Sequence, residues 1–314
     1  MTAKSVGTEF SKTRIPTNKV TRPPVRFNNT LTLPIQYFGS VEYYALMSAF
    51  GRVVIDDTVR YDKRFKSAHR MTVADTHGPI CLTVPVVKPS RQRLVTDCLN
   101  GNLTWHDVAV SSHGSWCRSV EETLASAYGR TPFFEYYIDR LRPFFDETAV
   151  SSFDSVASLD MALNRVICDI LCFNNEIFAK SQLETPLFVK SNENSCKEAK
   201  HDTLPHNPAG KTSNTPLVAP SSPILQHITS RCTQTPLTSP VTQTPGTEAD
   251  IYVSPDRLKH ITSQLPKLEY YQVRNRKHGF ISSLSILDLI FNLGPESPLH
   301  LYKMTEKLST KDLL

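Results

Sequence analysis

Two adjacent carboxylates, Asp56-Asp57, follow directly on the β-branched run Val53-Val54-Ile55. In open sheets of parallel strands, ligands bind outside the carboxyl ends of the strands. Acids placed there can hold a divalent cation against a phosphate or orient a ligand hydroxyl. The same residues also suit a turn or a helix cap, where Asp bonds to nearby backbone, and spacing alone leaves both readings open. Just beyond lies a basic and aromatic segment holding Tyr61, Lys63, Arg64, Lys66, His69 and Arg70. Its cations supply charge-assisted donors for a diphosphate; the alternative is an exposed charged loop. Tyr37 falls in the loop that precedes an expected helix, at the same end as Asp56, where it either shapes a pocket or packs into the core. Ser285, Asp288 and Asn292 recur at i, i+3 and i+7 on a nearly all-apolar helix stopped by Gly294-Pro295, so they share a face. A carboxylate and an amide in apolar surroundings each need a partner. They form either a buried network or part of a site.

These groups must be positioned by secondary structure. Leu31-Thr32-Leu33 reads as a short strand, Ser40 as the N-cap of a helix carrying Val41, Tyr44 and Ala45, and Gly51 as its stop. Arg52–Ile55 is a second strand. Strand, helix and strand in so few residues predict a βαβ unit with a parallel pair. Met71–Val73 and Ile80–Val86 predict two strands about the turn His77-Gly78-Pro79, with Pro85 near an edge. The middle is helical: Ser115 to Tyr128 with Gly129 at the end, a start at Thr131-Pro132 that puts Glu135, Tyr136 and Tyr137 in packing positions, and a long periodic run over 155–180. The fold class is therefore α/β, a small Rossmann-like N-terminal sheet with an α-helical middle and a C-terminal helix packing back on it. There is no G-x-G-x-x-G and no P-loop, which disfavours a dinucleotide or Walker-type cradle. The helix start at Ser40 remains able to receive a phosphate.

Composition adds boundaries. The first 30 residues hold six basic residues and one acidic one, which accounts for the whole formal net charge of +5. The body is thus near neutral and lacks the basic patch interleaved with aromatics of a nucleic-acid binder, so no specific nucleic acid is expected. The basic stretch 1–30 is read as a tail capable of peripheral membrane contact, 31–186 as the main domain, 187–249 as a disordered Ser/Thr/Pro-rich insertion, and 250–314 as a segment completing the domain. No apolar run reaches membrane-spanning length and no secretion signal is evident, so the expected location is cytoplasmic. Seven cysteines without a C-x-x-C pair fit reduced thiols rather than a disulfide framework; Cys168 and Cys172, at i and i+4, read as buried.

Five blocks in order carry a resemblance to the WbqC-like family, proteins associated with bacterial O-antigen and other surface-polysaccharide loci. They are Gln36–Tyr44, Val54–Asp57 with Tyr61-x-Lys63, Leu82–Val86, Ser126–Tyr137, and Tyr270–Pro295. The chain departs from the family pattern at Gly39-Ser40, where the family tends to prolines, around Lys66–Arg70, where an Asn is missing, at Val120-Glu121 in place of a His-Trp pair, and at Ser282-Ser283 in place of Pro-Asn. The resemblance implies a transferase of surface-polysaccharide biosynthesis acting on a nucleotide-activated or lipid-linked sugar, with acyl or aminoacyl transfer to an amino sugar as a fitting reaction. The candidate catalytic residues are Asp56, Asp57 and Asp288. The candidate substrate-binding residues are Tyr37, Tyr61, Lys63, His69, Arg70, Tyr128 and Asn292. No metal ligand set is assigned and the cofactor is unknown, a divalent cation being compatible with the paired carboxylates. The rival class is a non-enzymatic binding or scaffold protein of the same pathway.

Overall fold

The computed structural model describes residues 25–87, 103–184 and 250–313. The stretch 187–249, the basic loop 88–93 and most of the N-terminal tail lie outside the described residues. Strand β1, Phe27–Pro34, begins within the stretch read as tail. It pairs in parallel with β2, Phe50–Asp56, in a register that sets Leu33 against Ile55 and Pro34 against Asp56. Between them runs helix α1, Val41–Ala49, whose N-cap Ser40 accepts the Tyr43 N–H through Oγ at 3.3 Å. Almost all of α1 is buried, which fits its near-continuous apolar sequence rather than a single stripe. The helix ends at Ala49 because Phe50 turns to extended backbone; Gly51, expected to stop the helix, is already part of β2.

The sheet has the order β5-β2-β1-β6, all neighbours parallel. Strand β5, Glu176–Ala179, lies inside the stretch read as one long helix. That helix, α4, covers only Val156–Ile170. Cys172 sits beyond it at φ 53° and is only partly buried, so the expected pair of helical thiols is not formed. The other new strand is β6, Ile251–Tyr252. A separate antiparallel hairpin joins β3, Arg70–Asp75, to β4, Gly78–Thr83, around Thr76-His77.

Besides three single-turn α-helices, the further helices among the described residues are α2, Trp116–Tyr128, α3, Phe134–Leu141, α5, Lys180–Glu184, α6, Pro255–Gln264, α7, Ile286–Leu293, and α8, Ser297–Met304. Helix α3 starts at Phe134 rather than at Thr131-Pro132. Thr131 instead returns both its N–H and its hydroxyl to the Tyr128 carbonyl and completes the preceding turn. As a result Glu135 and Tyr136 face solvent, Tyr136 at 75% exposure, and do not pack into the core.

The C-terminal segment is stitched to the sheet. Tyr252 pairs with Thr32. The start of α7 exchanges main-chain bonds with the loop before α1, Val41 N–H to Leu284 O at 3.0 Å and Ile286 N–H to Gly39 O at 2.9 Å. The architecture is thus α/β with a four-stranded parallel sheet, a helical middle and a C-terminal helix packed back on it. Among the described residues no helix is long and apolar enough to cross a membrane.

Candidate functional site

Strand β1 leads through α1 to β2 on one side, whereas β6, on the other side of β1, leads into α6. The connections leaving these two neighbouring strands diverge, and this is the switch point at which a parallel sheet opens a crevice for a ligand. A cleft of about 420 Å³ lies there. One wall is the loop after β1, with Gln36, Phe38, Gly39 and Ser40; another is α6, with Leu258, Lys259 and Thr262. The segment before β3 and the residues before α7 close it. Among the described residues four cations line the cleft, Arg64, Lys66, Arg70 and Lys259, and no Asp or Glu does.

Both Ser40 and Ser285, the N-caps of α1 and α7, also line the cleft. Two helix N-termini therefore bring their positive ends to one place. The Val41 and Ile286 N–H groups are spent on the main-chain exchange described above, so the helices contribute field there and side chains must supply most donors. Backbone strain collects at the same spot. Of the three non-glycine residues at positive φ among the described residues, Phe38 (43°) and Ser283 (59°) both line the cleft, and such conformations persist only where the surroundings enforce them. Gly39 is required for a different reason. A Cβ there would stand 2.7 Å from the Tyr43 ring and 2.9 Å from Gln36 Oε1.

Of the residues singled out from sequence, Arg70 lines this cleft. It is half-buried, and its Nε is buried without a hydrogen-bond partner among the described residues. Lys63, a few residues before it, is exposed and outside the lining. His69 stacks on Trp105 at 5.3 Å, and burial together with the neighbouring Arg70 and Lys66 charges holds its pKa down to about 4, so the ring is neutral at pH 7. Tyr61 packs against the same Trp105 at 4.9 Å. Tyr37 is buried, with its hydroxyl unpartnered and its pKa pushed up by burial and then by Asp160 and Cys117. These three back the cleft wall rather than face it.

Asp56 and Asp57 sit at the carboxyl end of β2, one strand away from the switch point. Their carboxylates turn to different partners. Asp56 accepts from Thr58 Oγ1 at 2.8 Å, Tyr252 OH at 3.2 Å and Lys180 Nζ at 3.3 Å. Asp57 accepts the Ser181 N–H at 2.9 Å and the Ser181 hydroxyl, at the start of α5. The pair therefore ties β2 to β5 and β6. Among the described residues no group of three or more His, Cys, Asp and Glu side chains is placed to hold a metal ion.

Asp288, Asn292 and Tyr128 form a second, separate group. The Asp288 carboxylate accepts from Tyr270 OH at 2.6 Å and Gln272 Nε2 at 2.9 Å. Burial pushes its pKa up, while hydrogen bonds from Tyr270, Tyr128 and Gln272 pull it back. Asn292 accepts the Val273 N–H at 3.2 Å and donates to the Asp288 carbonyl at 2.7 Å. The polar stripe of α7 thus anchors residues 270–273. Only a void of about 10 Å³ adjoins it, about one water's worth of room. Asp288→Ala is expected to cost about 3–5 kcal/mol, because it strands several buried donors at once. Tyr270→Phe, which removes one donor, should cost about 1 kcal/mol; urea denaturation of both variants checks the ratio.

Sequence reasoning missed Gln36, Gly39 and Lys259 as cleft residues. The basic segment 63–70, the helix start at Ser40 and the polar residue Ser285 were the parts of the lining that the sequence marked.

The fold and cleft define an α/β protein with a basic site at a sheet switch point. The WbqC-like protein family matches residues 35–217, more than half of the chain, and the chain belongs to that family. Four of the five blocks lie within the match, and the block Tyr270–Pro295 lies beyond it. No curated protein and no solved structure matches the chain.

Proposed function

We propose that this WbqC-like protein is a transferase of surface-polysaccharide biosynthesis that binds the phosphate-bearing part of a nucleotide-activated or lipid-linked sugar in the switch-point cleft. The observation that carries this reading is a cleft lined, among the described residues, by four cations and no carboxylate, at the meeting of two helix N-termini. Such a lining suits an anion and repels nothing about it. Its volume of about 420 Å³ falls in the usual range for small-molecule sites. The association of the family with O-antigen loci supplies the substrate class, and acyl or aminoacyl transfer to an amino sugar is the reaction that best fits it. In this reading Arg70 and Lys66 neutralise phosphate charge, Lys259 reaches in from α6, and the strained turns at Phe38 and Ser283 fix the shape of the cavity.

A thermal-shift screen of the full chain against UDP-, dTDP-, CMP- and GDP-sugars, each with and without Mg²⁺, tests the reading. A ligand at 100 times its dissociation constant adds about 2.7 kcal/mol, a rise of several degrees for a chain of this size. The double variant Lys66→Glu, Lys259→Glu is expected to abolish the shift and leave the unliganded melting temperature nearly unchanged, since both side chains are exposed. A shift that survives this charge reversal would place the ligand elsewhere.

A further inference from the structure

We infer that the cleft is a two-part diphosphate site, in which Arg70 and Gln36 hold one phosphoryl group at the inner end and Lys66 and Lys259 act on the second at the mouth. This rests on reading the cleft as the substrate site. The cleft donors fall into two kinds. Gln36 is 9% exposed, and its side chain makes no hydrogen bond among the described residues. Its Oε1 lies close to Gly39, against the space a Cβ would take, which leaves Nε2 as the donor without a partner. Arg70 is half-buried with an unpartnered Nε. The buried Arg70 Nε without an acceptor is costly, the Gln36 amide lines the same cleft, and the described lining residues offer neither a carboxylate. A ligand oxygen answers both.

The mouth is different. Lys66 is exposed, the Lys259 side chain is 64% exposed with Asp256 3.9 Å away, and the Arg64 side chain is 89% exposed and already paired with Asp62 at 3.0 Å. These flexible cations attract charge without fixing its geometry. Positioned donors inside and mobile cations outside, in a cavity much larger than one phosphoryl group, match a P–O–P unit spanning the two depths. A nucleoside diphosphate sugar and a lipid-linked diphosphate sugar share that unit.

The test is isothermal titration of the full chain with inorganic pyrophosphate and with inorganic phosphate, at low and at high salt. Pyrophosphate is expected to bind about tenfold or more tightly than phosphate. Arg70→Gln and Arg70→Lys should each weaken pyrophosphate binding about tenfold at both salt levels, because a fixed charge-assisted bond is lost. Lys66→Ala with Lys259→Ala should weaken it a few-fold at low salt, and the difference should shrink at high salt, as screening of exposed charges requires. Gln36→Ala provides an independent route to the inner end should the Arg70 variants fail to fold. Equal affinity for the two anions, or binding untouched by both Arg70→Gln and Gln36→Ala, overturns the inference. If pyrophosphate fails while a sugar nucleotide still gives a shift that Lys66→Glu, Lys259→Glu removes, the cleft reading stands and only the two-part site falls. Competition by a soluble UDP-sugar against a short-chain isoprenyl diphosphate sugar then separates the two sources of the diphosphate.

Discussion

Asp160→Asn is expected to stabilise the protein, and by an amount that grows with pH. Asp160 lies on α4 with no exposed surface, and neither carboxyl oxygen has a hydrogen-bond partner among the described residues. Burial alone drives its pKa well above the ordinary 3.8. The folded chain therefore holds a proton that the unfolded chain releases once the pH passes about 4. Below that point the group costs nothing through linkage. Above it, stability falls by about 1.4 kcal/mol for each pH unit until the folded-state value is reached. Asparagine has nearly the same shape and no proton to retain, so the variant and the parent should have similar stability near pH 4 and diverge as the pH rises above it. Urea denaturation across this range checks it, and two parallel curves would contradict the account. The cost is located close to the site. Asp160 acts electrostatically on the buried, unpartnered Tyr37 hydroxyl, and the residues flanking Tyr37, Gln36 and Phe38, line the cleft.

Gly294→Ala is expected to cost about 3 kcal/mol or more. Gly294 follows α7 at φ 54° and ψ −121°, a sparsely populated backbone region that a side chain enters only with strain of about 1–3 kcal/mol. A Cβ would also stand 2.5 Å from Cγ and Cδ1 of Phe133. That ring has little freedom to retreat, because the Phe133 N–H is bonded to the Phe291 carbonyl at 3.1 Å. Overpacking of this kind adds about 1–3 kcal/mol. Gly279 makes the control: at φ 69° and ψ −172° it also sits in an essentially glycine-only region, yet nothing lies within 4 Å of its missing Cβ, so Gly279→Ala should cost the backbone strain alone, about 1–3 kcal/mol. Equal losses in the two variants would show that the Phe133 contact is not the cause. A shifted α7 would also displace its N-cap Ser285, which lines the cleft.

The βαβ start and the family were legible because local chemistry and tertiary structure agree there. Ser40 caps where a cap was expected, and β1 and β2 are apolar runs long enough to stand out. Strand β5 was hidden because its four residues, Glu176–Ala179, continue the apolar spacing of α4 and carry no alternating pattern of their own. Strand β6 has two residues and is defined by its neighbour, not by its sequence. The site was half legible for a related reason. A basic segment is visible in one dimension, but which of its side chains turn inward is set by packing: Arg70 and Lys66 face the cleft, while His69 stacks on Trp105 and Lys63 points away. Lys259 arrives on a helix nearly two hundred residues later in the chain, and nothing local marks it. Asp56 and Asp57 had the right position for a strand-end site but follow β2, whereas the sheet opens between β1 and β6.

The most direct test of the cleft as ligand site is lysine footprinting, acetylating the full chain with and without a saturating diphosphate ligand, a nucleotide sugar in one arm and inorganic pyrophosphate in the other. Protection of Lys66 and Lys259, with Lys180 modified equally in both states, is the result predicted here. Protection of Lys180, which sits on Asp56, with Lys66 and Lys259 unaffected, would move the ligand to the β2–β5 side and contradict the account.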